Sequence, residues 1–247
     1  MLRCVKIGKQ FDGVIALNEV SISVPAGSRR VIIGPNGAGK TTLFNIISGR
    51  LKPSNGAVSF FDKDITELSE YKRVHIGIGR TFQINSLFMN LTILQNALLA
   101  VQGVNRCRYK IFRGINTYKK LHDQAEELLS GIGLWSKRHL TINGLSYGAQ
   151  RQLEIVLGLA SKPKLLLLDE PSAGLTMEEG KSLLDMIGKL GAEITIILIS
   201  HHIDLVLEFA DLITVLHHGT VIFEGTSEAV QKDSKVMEIY TGIKPGA

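Results

Sequence analysis

The stretch VIIGPNGAGKTT, residues 31–42, joins an apolar strand to the start of a helix through a glycine-rich loop. The loop matches the pattern G-x-x-x-x-G-K-[ST], in which backbone amides curl around phosphate oxygens and the helix N-terminus adds the positive end of its dipole. In this pattern the lysine reaches the β- and γ-phosphates, and the hydroxyl after it holds Mg²⁺. The residues predicted to bind nucleotide phosphate are Gly34, Asn36, Gly37, Ala38, Gly39, Lys40, Thr41 and Thr42.

Two acidic residues follow a second apolar strand, the four leucines 165–168. Ligands of open α/β sheets bind at the carboxyl ends of the strands, so we expect Asp169 and Glu170 to lie beside the phosphate site. Asp169 suits a Mg²⁺-bound water, and Glu170 suits polarising the water that attacks the γ-phosphate. Alone, the pair would also fit a strand end capped by solvated acids. The phosphate loop upstream favours the catalytic interpretation.

Strand and helix patterns alternate along the chain, which predicts an α/β fold with a mostly parallel sheet covered by helices. Between residues 85 and 144 the strand pattern fades, and apolar residues at helical spacing predict a helical insert. Those residues are Leu121, Ala125, Leu128, Leu129 and Ile132. Strands are predicted at residues 5–7, 20–24, 30–33, 57–61, 165–168, 194–199, 213–215 and 221–223. The helix after the phosphate loop is expected to end at Gly49, and another to begin with the capping box 176–179.

Composition, net charge and the length of the apolar runs limit the kinds of protein that this chain can be. The 247 residues, 45% of them hydrophobic, can fill a sizeable core, and the net charge of +5 fits nucleic acid, membrane headgroups or anionic ligands equally well. No apolar run approaches the roughly 20 residues of a membrane-spanning helix. The first residues lack the apolar core of a signal peptide, and Cys4 and Cys107 form no metal-ligand spacing. We therefore expect a reduced cytosolic protein.

The segment LSYGAQ, residues 145–150, separates this sequence from the kinases, GTPases and recombinases that share a phosphate loop. With the motifs around it, the chain resembles the ATP-binding-cassette family of transporter ATPases over nearly its whole length. The family signature is usually LSGGQ, so Tyr147 replaces its first glycine and Ala149 is an insertion before the glutamine. The resemblance implies that Ser146 and Gly148 contact a γ-phosphate held by the other subunit of a head-to-tail dimer.

The same resemblance assigns roles to three further residues. Phe11 lies where an aromatic ring stacks on adenine, although a lone aromatic more often belongs to a core. Gln83, in RTFQ, would complete the Mg²⁺ shell and report the nucleotide state to the helical insert. His201, after the strand ITIILIS, matches the histidine that contacts the γ-phosphate. His201 therefore joins Lys40 and Glu170 as the predicted catalytic residues.

Some positions depart from the family pattern. The loop SAGLT, residues 172–176, resembles the dimer-contact loop that follows the acidic pair, but its usual final aspartate is absent. Ser200 and His202 stand where close relatives more often have glutamate and aspartate. With Tyr147, these departures bear on turnover in a way that the sequence leaves open. His217 and His218 are interpreted as an exposed turn beside Gly219.

The resemblance also implies a fold. We expect a P-loop NTPase (RecA-like) core with a mostly parallel sheet, an antiparallel β subdomain and an α-helical insert. The chain is interpreted as one cassette domain, 1–247. Residues 1–84 form the nucleotide-binding core with the antiparallel β subdomain, residues 85–145 form the helical subdomain, and residues 146–247 continue the core with a C-terminal segment.

Within the family, the chain most resembles the ATPase subunits of branched-chain amino acid and urea importers. The features that carry this are RTFQ, the long stretch before the signature, QRQLEI after it and the ending near IYTG. It implies an ATP- and Mg²⁺-dependent ATPase that forms a homodimer or heterodimer. It also implies separate transmembrane permease subunits and an indirect partnership with a solute-binding protein, with no nucleic acid as a partner. The chain would then be a peripheral protein on the cytoplasmic face of the cell membrane.

Other functions stay open at this point. One is an ATPase for a lipid or polysaccharide exporter, another is a soluble cassette acting with DNA or ribosomes, and a third is a small-molecule kinase. Residues 106–120 contain six Lys or Arg and no acidic residue, with aromatic residues between them. This segment fits either anionic headgroups near the permease or a basic solvated helix.

Overall fold

The computed structural model describes residues 1–81, 87–104, 119–191, 193–201 and 203–241. In that part of the chain the strands are β1 (Leu2–Phe11), β2 (Val14–Val24), β3 (Arg29–Ile33), β4 (Asn55–Phe60), β5 (Lys63–Asp64), β6 (Ile78–Arg80), β7 (Leu165–Asp169), β8 (Thr195–Ile199), β9 (Leu212–His217) and β10 (Thr220–Gly225). The α-helices are α1 (Lys40–Ser48), α2 (Glu70–His75), α3 (Ile93–Val104), α4 (Lys119–Ser130), α5 (Tyr147–Gly158), α6 (Met177–Gly188), α7 (Ile203–Val206), α8 (Ser227–Lys232) and α9 (Ser234–Thr241).

Six of these strands form one sheet in the order β10-β9-β3-β8-β7-β6. All neighbours run parallel except the terminal pair β9 and β10. A separate sheet, β2-β1-β4-β5, is antiparallel throughout. The predicted fold class, a mostly parallel core with an antiparallel β subdomain and a helical insert, is confirmed.

Both faces of the parallel sheet are covered, as the run of leucines in β7 requires. Because side chains alternate along a strand, Leu165 and Leu167 pack into one hydrophobic core, and Leu166 and Leu168 pack into another. The first core contains the apolar face of α1, and the second contains that of α6. The strand that carries the acidic pair is therefore held on both sides.

The helix after the glycine loop ends where the sequence predicts. Its C-cap is Gly49, with φ +83, a left-handed conformation that a side chain would disfavour. The buried guanidinium of Arg73 then donates hydrogen bonds to the carbonyls of Ile46 and Ile47 in the last turn. A cation at the C-terminal end of a helix interacts favourably with the negative end of the helix dipole, so Arg73 stabilises the end of α1.

The helical insert has a core of its own. Residues of α3 and α4 pack together with Leu134, Ile142 and Leu153 in a third cluster. The predicted helical spacing runs two residues too far, because α4 ends at Ser130 and the partly buried Ile132 lies in the following turn. The predicted strand 57–61 likewise ends one residue early, at Phe60.

Among the described residues, no helix combines the length and the apolar character needed to cross a bilayer.

Candidate active site

The glycine loop lies at the carboxyl end of β3 and leads directly into α1. Nζ of Lys40 donates hydrogen bonds to the carbonyl oxygens of Gly34, at 2.7 Å, and Pro35, at 3.0 Å. The side chain of Lys40 is therefore folded back over the loop. Burial lowers the pKa of Lys40, while the charges of Glu170 and Asp169 act in the opposite direction. The ammonium group thus stands within electrostatic reach of Glu170, the predicted catalytic carboxylate, and of Asp169, the predicted magnesium ligand through water.

Gly39 shows why the loop needs a residue without a side chain. It is the N-cap of α1, has φ +100 and makes no side-chain capping bond. A Cβ at this position would lie 2.6 Å from the carbonyl oxygen of Ala16. The first amides of a helix have no intrahelical acceptor, and glycine at the N-cap supplies no side-chain acceptor for them. They remain available for an anion, as phosphate binding at a helix N-terminus requires.

Gly219 belongs to the support of this loop, which the sequence analysis did not anticipate. It lies in the turn between β9 and β10, and its N–H donates to the carbonyl of Ala38 at 3.0 Å. Its carbonyl accepts from the N–H of Asn18 at 2.8 Å. Gly219 is buried and only His218 beside it is exposed, so the interpretation of this turn as exposed holds for His218 alone. The signal in the sequence is the dipeptide His-Gly between two short strand patterns.

The acidic pair ends β7, next to β8 in the sheet. Asp169 is 4% exposed, and its Oδ2 lies 3.2 Å from Nη2 of Arg80. Burial raises the pKa of Asp169, and the charge of Arg80 partly offsets this. Oδ1 of Asp169 is buried and has no hydrogen-bond partner among the residues that the structure describes. An acceptor left in this state points to a group that the protein atoms do not provide.

Glu170 differs from its neighbour in exposure and backbone. It is partly exposed, and its φ of +48 places it in the left-handed region, which is unusual for a residue with a side chain. Its N–H donates to the carbonyl of Ile199 at 3.0 Å. Oε1 of Glu170 lies 3.2 Å from Nδ1 of His201. The ends of β7 and β8 therefore bring these two predicted catalytic side chains together.

Arg80 is a second residue that the sequence analysis missed. It ends β6, and besides Asp169 its guanidinium contacts Oδ1 of Asn45 at 2.7 Å and Oγ of Ser48 at 3.1 Å. It thereby ties α1, which begins at the phosphate loop, to the acidic end of β7. The available signal is a basic residue inside a buried strand pattern, which requires an acidic or carbonyl partner.

Phe11 lies at the end of β1, opposite Val14 in β2. Its side chain is 41% exposed, and Val14 and Ile15 are also exposed. Ala16, one residue further along β2, is the residue whose carbonyl meets Gly39. The hairpin thus presents an unburied apolar surface next to the phosphate loop, which argues against a purely structural role for Phe11.

The signature segment is placed elsewhere. Ser146 is the exposed N-cap of α5, and its Oγ accepts a hydrogen bond from the N–H of Ala149 at 3.3 Å. A Cβ on Gly148 would lie 3.2 Å from Oε1 of Glu179, at the first turn of α6. Ser146 is therefore exposed where the starts of α5 and α6 meet, and Gly148 is half-buried against α6.

Some predicted positions cannot be placed in this site. The described residues do not include Gln83 or His202, the residue after His201. They also exclude most of the basic segment, residues 106–118.

A glycine loop with a buried lysine, facing a carboxylate pair and a histidine at the carboxyl edge of a parallel sheet, defines the class of P-loop nucleotide-binding proteins. The family described as ABC transporter matches residues 17–173, more than half of the chain. The chain belongs to this family and is an ATP-binding cassette, an ATPase. Subunits of this family act with transmembrane permease components and dimerise.

Two curated relatives match over nearly the whole chain. The probable branched-chain amino acid transport ATP-binding protein LivG of Archaeoglobus fulgidus is 34% identical over 249 residues, which cover 99% of this chain and 96% of the relative. The protein of the same description from Methanocaldococcus jannaschii is 36% identical, covering 98% of this chain and 97% of the relative.

Solved structures give the same result. The ADP conformation of MJ1267, an ATP-binding cassette of an ABC transporter, superposes with a TM-score of 0.89 at 35% identity, covering 98% of this chain and 99% of that one. MJ0796, a bacterial ABC transporter cassette solved as a dimer, has a TM-score of 0.76 at 27% identity, covering 92% and 99%.

Proposed function

We propose that this chain is the ATP-hydrolysing subunit of an importer for branched-chain amino acids or a related small solute such as urea. The ATPase activity is supported by one observation: four side chains lie close together where the neighbouring strands β3, β8 and β7 end. They are Lys40, Asp169, Glu170 and His201. The importer is supported by similarity to branched-chain amino acid transport ATP-binding proteins along almost the full chain.

The residues divide the work of hydrolysis. Glu170 polarises the attacking water, a role supported by its partly exposed side chain and by the contact of its Oε1 with His201. His201 contacts the γ-phosphate, and Lys40 neutralises charge on the β- and γ-phosphates. The amides of residues 34–42 hold the phosphate chain, and Phe11 stacks on the adenine. The positions of these side chains around the phosphate loop support the proposed roles.

The described residues fit a Mg²⁺ ion. The buried Oδ1 of Asp169 has no hydrogen-bond partner in the described part of the chain, and carboxylates that reach Mg²⁺ through water are typical of phosphate sites. Thr41, with its side chain exposed in the first turn of α1, supplies a hydroxyl on the same edge. We propose Thr41, Gln83 and, through a water, Asp169 as its ligands. When bound, Mg²⁺ neutralises charge that develops on the phosphates.

Two copies, or one copy and a sister ATPase, would enclose two ATP molecules. Ser146 is exposed at the N-terminus of α5 and Gly148 lies in the first turn of that helix, a position that suits contact with the γ-phosphate bound by the partner. Because each nucleotide then contacts both subunits only when its γ-phosphate is present, ATP binding favours the closed dimer and hydrolysis releases it.

A groove between the helical insert and the core suits a permease. Its cavity of about 280 Å³ is lined in part by Thr81, Phe88, Leu99 and Leu157. Phe88 is 59% exposed and Leu99 is 39% exposed, although both are large apolar side chains. Exposed apolar surface of this kind favours a protein partner. The separate core of the insert supports the proposed division into 1–84, 85–145 and 146–247 within a single domain.

The experiment is reconstitution. The chain is co-expressed with the permease and binding-protein genes that neighbour its own, purified from membranes, and placed in proteoliposomes with leucine or urea. We expect the permease to co-purify and the solute with its binding protein to stimulate ATP hydrolysis. Glu170→Gln is the matched control, since it should bind ATP without driving uptake. Recovery with an exporter permease, or ATPase activity indifferent to any permease, would overturn the importer assignment.

A further inference from the structure

Tyr147, where the family signature usually has a glycine, makes contacts that a glycine cannot make. Its hydroxyl donates to the carbonyl oxygen of Ala173 at 3.3 Å. Its ring lies against Gly174, because a Cβ added there would be 3.1 Å from Cε1 of Tyr147. Gly174 has φ +77, so this close approach uses a conformation that suits glycine. The start of α5 is thus joined to the loop that follows the acidic pair.

The same loop carries the backbone of Glu170. The N–H of Ala173 donates to the carbonyl of Glu170 at 3.1 Å. Glu170 has a left-handed φ, a conformation that is unfavourable for a residue with a side chain and persists only when neighbours hold it. Two successive hydrogen bonds therefore lead from the Tyr147 hydroxyl through Ala173 to the strained residue proposed to polarise water.

The ring of Tyr147 is also held from the helix side. The guanidinium carbon of Arg151 lies 5.4 Å from the ring centre, one turn along α5. Nη1 of Arg151 in turn contacts Oε2 of Glu154 at 2.7 Å, and both side chains are largely buried. The tyrosine is fixed between a buried ion pair and the loop, although 42% of it remains exposed.

We propose that Tyr147 is a positioning residue that couples the two nucleotide sites of the dimer. This rests on the proposed function, in which Ser146 meets the partner's nucleotide while Glu170 acts on the subunit's own. Because Tyr147 follows Ser146 directly and holds the loop of Glu170, a γ-phosphate arriving at Ser146 stabilises the loop that sets Glu170. The ligand that Tyr147 responds to, through Ser146, is therefore a nucleoside triphosphate bound by the second subunit.

The test is Tyr147→Phe, which keeps the ring and removes the hydroxyl, with its hydrogen bond to Ala173 and its interaction with Arg151. We expect kcat for ATP to fall about tenfold with KM changed less than twofold, because displacement of a catalytic group slows chemistry without weakening binding. The Hill coefficient for ATP should fall toward one. Tyr147→Gly, the usual family residue, should show the same split. Tyr71→Phe, an exposed tyrosine on α2, is the matched control and should behave like the parent.

Parental kcat and Hill coefficient in Tyr147→Phe would overturn the proposal, whatever Tyr147→Gly does. So would equal losses in nucleotide affinity and turnover, which would make Tyr147 a binding residue. Glu170→Gln separates this from failure of the proposed function. If Glu170→Gln forms no ATP-dependent dimer, the shared site itself is wrong. If the dimer forms and Tyr147→Phe is parental, only the coupling role is lost.

Discussion

Nδ1 of His201 lies 3.2 Å from Oε1 of Glu170, across the ends of two strands that are neighbours in the sheet. The two residues are 31 positions apart in sequence, and parallel pairing of Asp169 with Ile199 brings them level. A carboxylate and an imidazole at this distance can hold one water and one phosphate oxygen in a common geometry. The catalytic predictions start from this pair.

Glu170→Gln should retain ATP binding, lower kcat by roughly a hundredfold or more, and accumulate a dimer with bound ATP. The amide has the same shape but cannot accept a proton. Phosphate release and size-exclusion chromatography with ATP measure the two effects. Glu178→Gln, in the exposed first turn of α6, is the control for loss of a carboxylate. Hydrolysis at the parental rate in Glu170→Gln would remove Glu170 from its role.

Lys40→Ala should weaken ATP binding by about 10- to 100-fold, because this is the usual contribution of a charge-assisted hydrogen bond to affinity. The ammonium group now held by the Gly34 and Pro35 carbonyls is the one expected to move to the phosphates. Fluorescent-nucleotide titration gives the affinity. Lys63→Ala, on the exposed strand β5, should leave it unchanged. Unaltered affinity in Lys40→Ala would contradict the phosphate-loop assignment.

Gly39→Ala and Gly37→Ala should separate steric clash from backbone strain. Both glycines have positive φ, at +100 and +79. A Cβ at Gly37 meets nothing within 4 Å, so Gly37→Ala should lose only about 1–2 kcal/mol of unfolding free energy. Gly39→Ala must also displace the Ala16 carbonyl and should lose clearly more. Urea unfolding without nucleotide tests this, and equal losses would mean that the Ala16 contact is unimportant.

Cys4 should make the protein less stable at alkaline pH. Burial raises the pKa of its thiol from 9.0 to about 12, against the smaller effect of the Arg73 and Arg30 charges. The unfolded thiol therefore ionises first, and the free energy of unfolding should fall as pH rises from about 9 toward 12, by up to about 1.4 kcal/mol per pH unit.

Cys4→Ala isolates this effect. It should be less stable than the parent at pH 7 by about 1 kcal/mol, because a buried side chain is shortened. Its stability should fall less steeply between pH 9 and 11, since every other titrating group is shared. Urea unfolding at half-unit pH steps measures both slopes. Parallel slopes for the two proteins would show that Cys4 does not ionise differently on unfolding.

The sequence by itself determined the chemistry whose signal is local. Residues 34–42, the acidic pair after four leucines, the helix stop at Gly49 and the capping box at Thr176 each depend on neighbours a few positions away. Backbone conformation, helix caps and strand burial are decided over that range, so the pattern predicts them. The resemblance to cassette ATPases then ordered these motifs into a single site.

Only the tertiary structure decided which distant residues support that site. Gly219 under the phosphate loop, Arg80 on Asp169 and Tyr147 on Ala173 are contacts between segments 26 to 181 residues apart. Such contacts depend on strand order and register, and sheet order β10-β9-β3-β8-β7-β6 does not follow chain order. A local pattern carries no information about that order, because the same strands could pair in many ways before the whole core is packed.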